Sequence, residues 1–203
     1  MYIDKTLKEY LRELSAKQSV PGGGSAAGLV GALGAALLEM VCNFTIGNKK
    51  YKDIEEATDN CLISIGKIRE QFLSLVDEDA KVYSLICEAF KAKDEKIIDN
   101  ALREGYNISF KMCELAKTGL RIASDLAEKS NINLITDVGC GAEFLKAGFN
   151  AGVFNAEINL KGIKDNVFVE RERLIIYTIK KEIADLHKKT ISKVSERIDL
   201  HAC

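Results

Sequence analysis

Between Ala26 and Phe44 the chain is almost continuously apolar, interrupted by Glu39 and Asn43 and built mainly from Gly, Ala, Leu and Val. A helix apolar all round belongs either in a bilayer or at the centre of a bundle. Glu39 and Asn43, four residues apart, share one face; no aromatic belt flanks the run, and Gly28, Gly31 and Gly34 with Ala27 and Ala35 offer a smooth surface. The segment therefore reads as a buried central helix, and no membrane association is expected. Each glycine costs about 1 kcal/mol of helix propensity relative to Ala, so close packing against other backbones must compensate.

The remaining chain supplies the wrapping. Leu7, Tyr10, Leu11 and Leu14 form a short amphipathic stripe that must stop before Ser19-Val20-Pro21-Gly22-Gly23-Gly24, with Ser25 as the expected N-cap of the central helix. Apolar positions recur at three or four from Lys52 to about Ala92 and again from Asp94 to Ala127. A small-residue helix follows Ser130-Asn131 to about Leu160, and a charged amphipathic one spans roughly Asn166 to Leu200. With one Pro and no Trp in 203 residues, the expected fold is all-α: an elongated bundle of about six helices, several of them long, forming a single helical domain over 1–203. The Gly/Ala faces of 26–44 and 139–156 exceed the evident packing needs of one bundle, and a homodimer is expected.

Lys+Arg 29 against Asp+Glu 30 leaves a net charge of -1, without the basic surplus that a nucleic-acid binder needs. Cysteines at 42, 61, 87, 113, 140 and 203 include no C-x-x-C and none lies beside a histidine until Cys203, near His201. They are expected to be free thiols in a reducing compartment, with no bound metal. Met1 to Lys5 holds no apolar run of signal-peptide type, and a cytoplasmic location is expected.

Chemistry-bearing residues cluster in five places. Pro21-Gly22-Gly23-Gly24-Ser25 enters the central helix and reads either as a flexible turn or as an anion cradle of backbone N–H groups; it lacks the Gly-Lys-Ser/Thr end of a P-loop. Glu39 needs a buried partner, for which a structural ion pair suffices. Gly47-Asn48-Lys49-Lys50-Tyr51 is a basic turn beside an aromatic. Asp137 falls in the first turns of the helix after Asn131, where it serves either the helix terminus or chemistry. Asn155 and Asn159 share a face and need partners. His187 and His201 lie in the charged last helix and read as surface residues, leaving acid–base work to carboxylates, lysines or amides.

The stretch Pro21 to Tyr51 resembles the entry loop, buried helix and basic turn of the formiminotransferase-cyclodeaminase C-terminal family. The likeness recurs at Val76-Asp77-Glu78-Asp79-Ala80-Lys81-Val82-Tyr83, at Asn131 with Asp137, and at Phe154-Asn155-Ala156-Glu157-Ile158-Asn159-Leu160, in the family's order. It departs at Ile108-Ser109-Phe110, where relatives usually carry a mid-helix Pro, and at Asn155-Ala156, where they usually carry Asn-Val. The resemblance implies a homodimeric helical enzyme of tetrahydrofolate one-carbon chemistry, on a substrate that can be polyglutamylated, with no further cofactor. Formimidoyltetrahydrofolate cyclodeaminase is the first reading, and methenyltetrahydrofolate cyclohydrolase the alternative. A non-catalytic folate-binding or scaffold protein is a third. It implies Asp137 as the catalytic proton carrier. Gly22, Gly23, Gly24, Ser25, Lys49, Tyr51, Asp79, Asn131, Asn155 and Asn159 would hold the substrate, its glutamate carboxylate on the Gly22–Gly24 amides.

Overall fold

The computed structural model describes the backbone of residues 1–201 and the side chains of 1–199, so the expectations for His201 and Cys203 lie outside the described residues. Six α-helices follow in order: α1 (Leu7–Leu14), α2 (Gly23–Thr45), α3 (Glu55–Ala92), α4 (Glu95–Lys129), α5 (Ile135–Gly162) and α6 (Asn166–His201). Three short 3-10 turns, Tyr2–Asp4, Lys49–Ile54 and Ile132–Leu134, join them, and no strand occurs among the described residues. Helices α2 to α5 run up, down, up, down in a ring, and α6 lies in the groove between α4 and α5. The 38 residues of α3 make it about 57 Å long, which gives the bundle its length.

Local signals set the boundaries. Thr6 and Glu9 form a capping box at α1, and Asp94 accepts from the Lys96 and Ile97 amides at α4. Lys93, with φ of 59°, turns the chain out of α3 in the left-handed conformation. Helix α4 runs unbroken through Ile108-Ser109-Phe110. Helix α2 begins two residues before the expected cap: Gly22 is its N-cap, and the Ser25 hydroxyl, inside the first turn, bonds to the Tyr10 hydroxyl instead.

By length and composition α2 could cross a membrane, but here it packs against α3, α5 and α4. Its glycines explain how. A Cβ on Gly28 would stand 3.1 Å from the Phe72 carbonyl oxygen, and one on Gly34 would stand 2.9 Å from that of Gly141. A Cβ on Gly31 would overlap the Phe72 ring. The Gly faces are thus consumed inside the chain, which removes the stated reason for a dimer. What stays uncovered is a different, large-residue face: Leu33 and Phe44 on α2 and Phe144, Phe154 and Ile158 on α5.

On the far side Tyr106, buried on α4, donates to Glu172 of α6 at 2.5 Å. Arg197 of α6 donates to the carbonyls of Leu126, Ala127 and Ser130, closing the C-terminus of α4.

Gly31→Ala gains helix propensity but must displace a fully buried ring. A net loss of about 1 to 3 kcal/mol is expected, lowering the thermal midpoint by several degrees. A raised midpoint in thermal denaturation would contradict the packing argument.

Candidate functional site

At the end of the bundle where α2 begins, a cavity of about 680 Å³ opens between α2, α3 and α5. Its polar end gathers Gly22, Gly23 and Gly24 at the start of α2, Asp79 of α3, and Asn155 and Asn159 of α5. Antiparallel packing makes this meeting inevitable, because the first turn of α2 lies beside the last third of α5 and the middle of α3.

Asp79 is seated where a side chain is missing. A Cβ on Gly24 would overlap its carboxylate, which therefore lies against the first turn of α2, where the Ser25 backbone N–H favours its charged form. Burial pushes the Asp79 pKa above its ordinary value, and the Ser25 amide, which favours the charged form, does not cancel that rise. The site therefore holds a carboxyl that takes up a proton more readily than an aspartate in water. Gly105 plays a similar part for Asn159, whose amide nitrogen would lie 2.9 Å from an added Cβ.

The two asparagines are turned by the helix that carries them. Asn155 donates its amide to the Ala151 carbonyl at 2.8 Å, and Asn159 to that of Asn155 at 2.9 Å. Since a carbonyl only accepts, the –NH₂ groups are the ones engaged, and each Oδ1 is left as an acceptor. Each amide spends one of its two N–H groups this way, so each asparagine keeps one donor and its acceptor oxygen, beside the uncapped N–H groups at the start of α2. Val82, Ile86, Phe90 and Ile158 wall the remainder, and Lys161 stands at the outer end without an ion pair among the described residues.

The other expected site residues lie elsewhere. Asp137, half-exposed in the first turn of α5, is eighteen residues from Asn155, about 27 Å along the helix axis. Asn131, Lys49 and Tyr51 sit at that same far end. The Asn131 amide donates to the Phe44 carbonyl, its Oδ1 caps the following turn, and the Tyr51 hydroxyl accepts from the Ile132 N–H at 3.0 Å. These contacts fasten the α4–α5 connection, and Lys49 is exposed. Within one chain none of the four reaches the cavity, so the single constellation expected from sequence is divided between two ends. Ser25 is buried behind the cavity, its contact with Asp79 being through its backbone.

Glu39 meets the expected structural partner, Arg69 Nε at 2.6 Å. His187 is half-buried 3.1 Å from Glu143, not on the open surface as expected, because α6 lies down on α5 there. Cys42, Cys61, Cys87, Cys113 and Cys140 are free. Burial pushes Cys42 and Cys113 up to about 12, so both remain thiols. Among the described residues no three His, Cys, Asp or Glu side chains are grouped to hold a metal. Sequence reasoning missed Lys161, Tyr83 and Phe90; the spacing of Asp79, Tyr83, Ile86 and Phe90 at one helix face was the available signal.

A helical bundle with a carboxylate seated at a glycine-rich helix start defines the class, and comparison with known proteins agrees. The formiminotransferase-cyclodeaminase family model matches residues 6–174, and the chain belongs to that family. It is 28% identical to the methenyltetrahydrofolate cyclohydrolase of Methylorubrum extorquens, with 97% of this chain and 99% of that protein aligned. It is 30% identical to the formimidoyltransferase-cyclodeaminase of Rattus norvegicus over 89% of this chain but spans only 35% of that longer protein. The crystal structure of formiminotetrahydrofolate cyclodeaminase from Thermotoga maritima superimposes with a TM-score of 0.92 at 27% identity, covering 96% of this chain and 98% of that one.

Gly24→Ala is expected to leave helical content at the wild-type level while expelling the Asp79 carboxylate from its seat. Circular dichroism together with turnover of a tetrahydrofolate substrate checks this; an active Gly24→Ala enzyme would show that the seat is not needed.

Proposed function

We propose that the chain is a formimidoyltetrahydrofolate cyclodeaminase, converting 5-formimino- to 5,10-methenyl-tetrahydrofolate with release of ammonia. The observation that carries this reading is Asp79, a carboxyl drawn out of water in a ligand-sized cavity. N10 of the folate attacks the carbon of the protonated formimino group (N5–CH=NH₂⁺), forming the new C–N bond. Asp79 takes the N10 proton as carboxylate and returns it to the formimino nitrogen, whose bond to carbon then breaks as ammonia leaves. The Oδ1 atoms of Asn155 and Asn159 accept from N–H groups of the substrate. An anion at Gly22–Gly24 would face Asp79, so the glutamate tail runs instead toward Lys161, a revision of the expected cradle.

The cyclohydrolase reading, in which Asp79 activates water for addition to the methenyl carbon, draws support from the full-length match to the Methylorubrum protein. Each substrate supplied separately distinguishes the two: methenyl absorbance rises from the 5-formimino compound in the first case and decays from the methenyl compound in the second. No turnover of either would leave a folate-binding or scaffold protein and overturn both.

Asp79→Asn is expected to reduce turnover by about 10²- to 10⁴-fold. Because folding raises this pKa, the stability Asp79 contributes is present below its unfolded pKa and is lost as pH rises through its folded one. Asn in its place should therefore leave the thermal midpoint at pH 7 equal or higher. The wild-type rate should fall on the acid side at a pH above the ordinary aspartate range, as the carboxylate is protonated.

The chain acts as a homodimer through the uncovered apolar face of α2 and α5, where Phe154 is 75% and Phe44 62% exposed. Asp137 and Asn155, about five turns apart, share a face of α5. A two-fold axis crossing the middle of that helix brings the partner's Asp137 beside this cavity. Sedimentation should give a dimer, and a fully active monomer would refute it. Asp79→Asn and Asp137→Asn chains, each impaired alone, should regain about a quarter of wild-type activity when mixed and reassembled, since half the assemblies then hold one intact site of two. No recovery, or a fully active Asp137→Asn enzyme, would place Asp137 outside the site.

A further inference from the structure

Behind the cavity, on the side away from any substrate, a buried chain of contacts ties the N-terminal arm to Asp79. The Tyr2 backbone N–H donates to Asp77 Oδ1 at 2.5 Å, and Asp77, 4% exposed, has its other carboxylate oxygen buried without a partner. The Tyr2 ring meets the Tyr10 ring edge-on with centroids 6.2 Å apart. Tyr10, 3% exposed, shares a 3.0 Å hydrogen bond with the hydroxyl of the fully buried Ser25. The residue before Ser25, Gly24, lies directly against the Asp79 carboxylate, which the Ser25 backbone N–H helps to keep charged. Nothing in the packing of α1 requires a hydroxyl here, since a Phe ring would fill the same space. A buried phenol aimed at the first turn of α2 has one evident task, which is to hold that turn.

We propose that Tyr10 is a positioning residue for Asp79: acting through the Ser25 hydroxyl, it fixes the first turn of α2, so that Gly24 and the Ser25 amide stay against the carboxylate. This rests on the reading of Asp79 as the proton carrier. The groups that face Asp79 are Tyr10 from α1, Ser25 and Gly24 from α2, Tyr83 from α3 and Asn155 from α5, with Lys161 also lining the cavity; Leu102 of α4 brings no charge, and Asp77 lies on the Tyr2 and Tyr10 side. None of these is a cation close to the carboxylate. The Ser25 amide is therefore the principal group favouring its charged form, and whatever loosens that amide moves the proton equilibrium. The phenol itself is held neutral, because burial raises its pKa and the nearby Asp79 and Asp77 oppose its ionisation.

Two substitutions act in opposite directions. Tyr10→Phe keeps the ring and the burial but releases Ser25, so the Asp79 pKa should rise and turnover should fall about three- to tenfold with KM unchanged. Tyr10→Ala removes the ring as well and admits water, so the Asp79 pKa should drop toward its ordinary value. The measurement is the titration of the Asp79 side-chain carboxyl by ¹³C NMR in the full-length protein, its resonance identified by loss in Asp79→Asn, alongside the pH–rate profile. Ser25→Ala should reproduce Tyr10→Phe, and the double variant should be no worse than either single one. An unmoved Asp79 titration in Tyr10→Phe, with only a lowered thermal midpoint, would make Tyr10 a structural plug and overturn the proposal. A moved titration in an enzyme whose Asp79→Asn form stays active would keep the relay and remove Asp79 from the chemistry.

Discussion

The molecule depends on how closely the backbone of α2 approaches its neighbours. Gly28, Gly31 and Gly34 let the α3 and α5 backbones and the Phe72 ring into space that any side chain would occupy. That approach costs helix propensity and is offset by burial of Phe72, Leu38 and Leu145, all fully excluded from water. It also fixes the register of the antiparallel helices. With α2 locked against α3 along its length, the next small residue in the series, Gly24, must come to rest against Asp79. The Asp79 carboxyl is thus placed by the same packing that makes the core.

Two opposing effects then hold Asp79 in a usable state. Burial alone would drive it to the neutral form; a helix N–H alone would hold it charged. Their balance produces a group able to accept and return a proton. The orientation of Asn155 and Asn159 comes from their own helix, each amide giving one hydrogen to a carbonyl four residues back and keeping its second hydrogen and its oxygen for other partners.

Much of this was legible in the sequence. The unbroken apolar run specified a central helix, the three-and-four spacing specified the long helices around it, and the pairing of Asn155 with Asn159 pointed to a shared face. Glu39 found the expected ion partner in Arg69, although it is only partly buried, not enclosed as the apolar run around it suggested. What periodicity cannot carry is position along a bundle: Asn131, Tyr51 and Asp137 are as rich in polar atoms as Asn155 and Asp79, yet lie at the other end of α5. Ser25 was misread for a related reason. A serine before an apolar run is an ordinary cap signal, and only the tertiary contact with Tyr10 reveals that its hydroxyl is committed elsewhere. The glycines mark close packing, as their spacing implies, but the helices of the same chain take up the surface whose apparent excess suggested a dimer.

The absent side chain at Gly24 bears on how such a protein can be made more robust. Replacing helical glycines by alanine is a standard route to thermostability, because it restricts the unfolded chain and improves helix propensity. In this fold the route fails at successive positions for different reasons. At Gly31 it collides with the core and announces itself in the melting curve. At Gly24 the only obstacle is a carboxylate that can swing away, so a thermal screen would pass the variant, or even favour it, while the seat of Asp79 had been dismantled. For this scaffold, selection by heat alone rewards the loss of the feature that distinguishes it from an inert bundle.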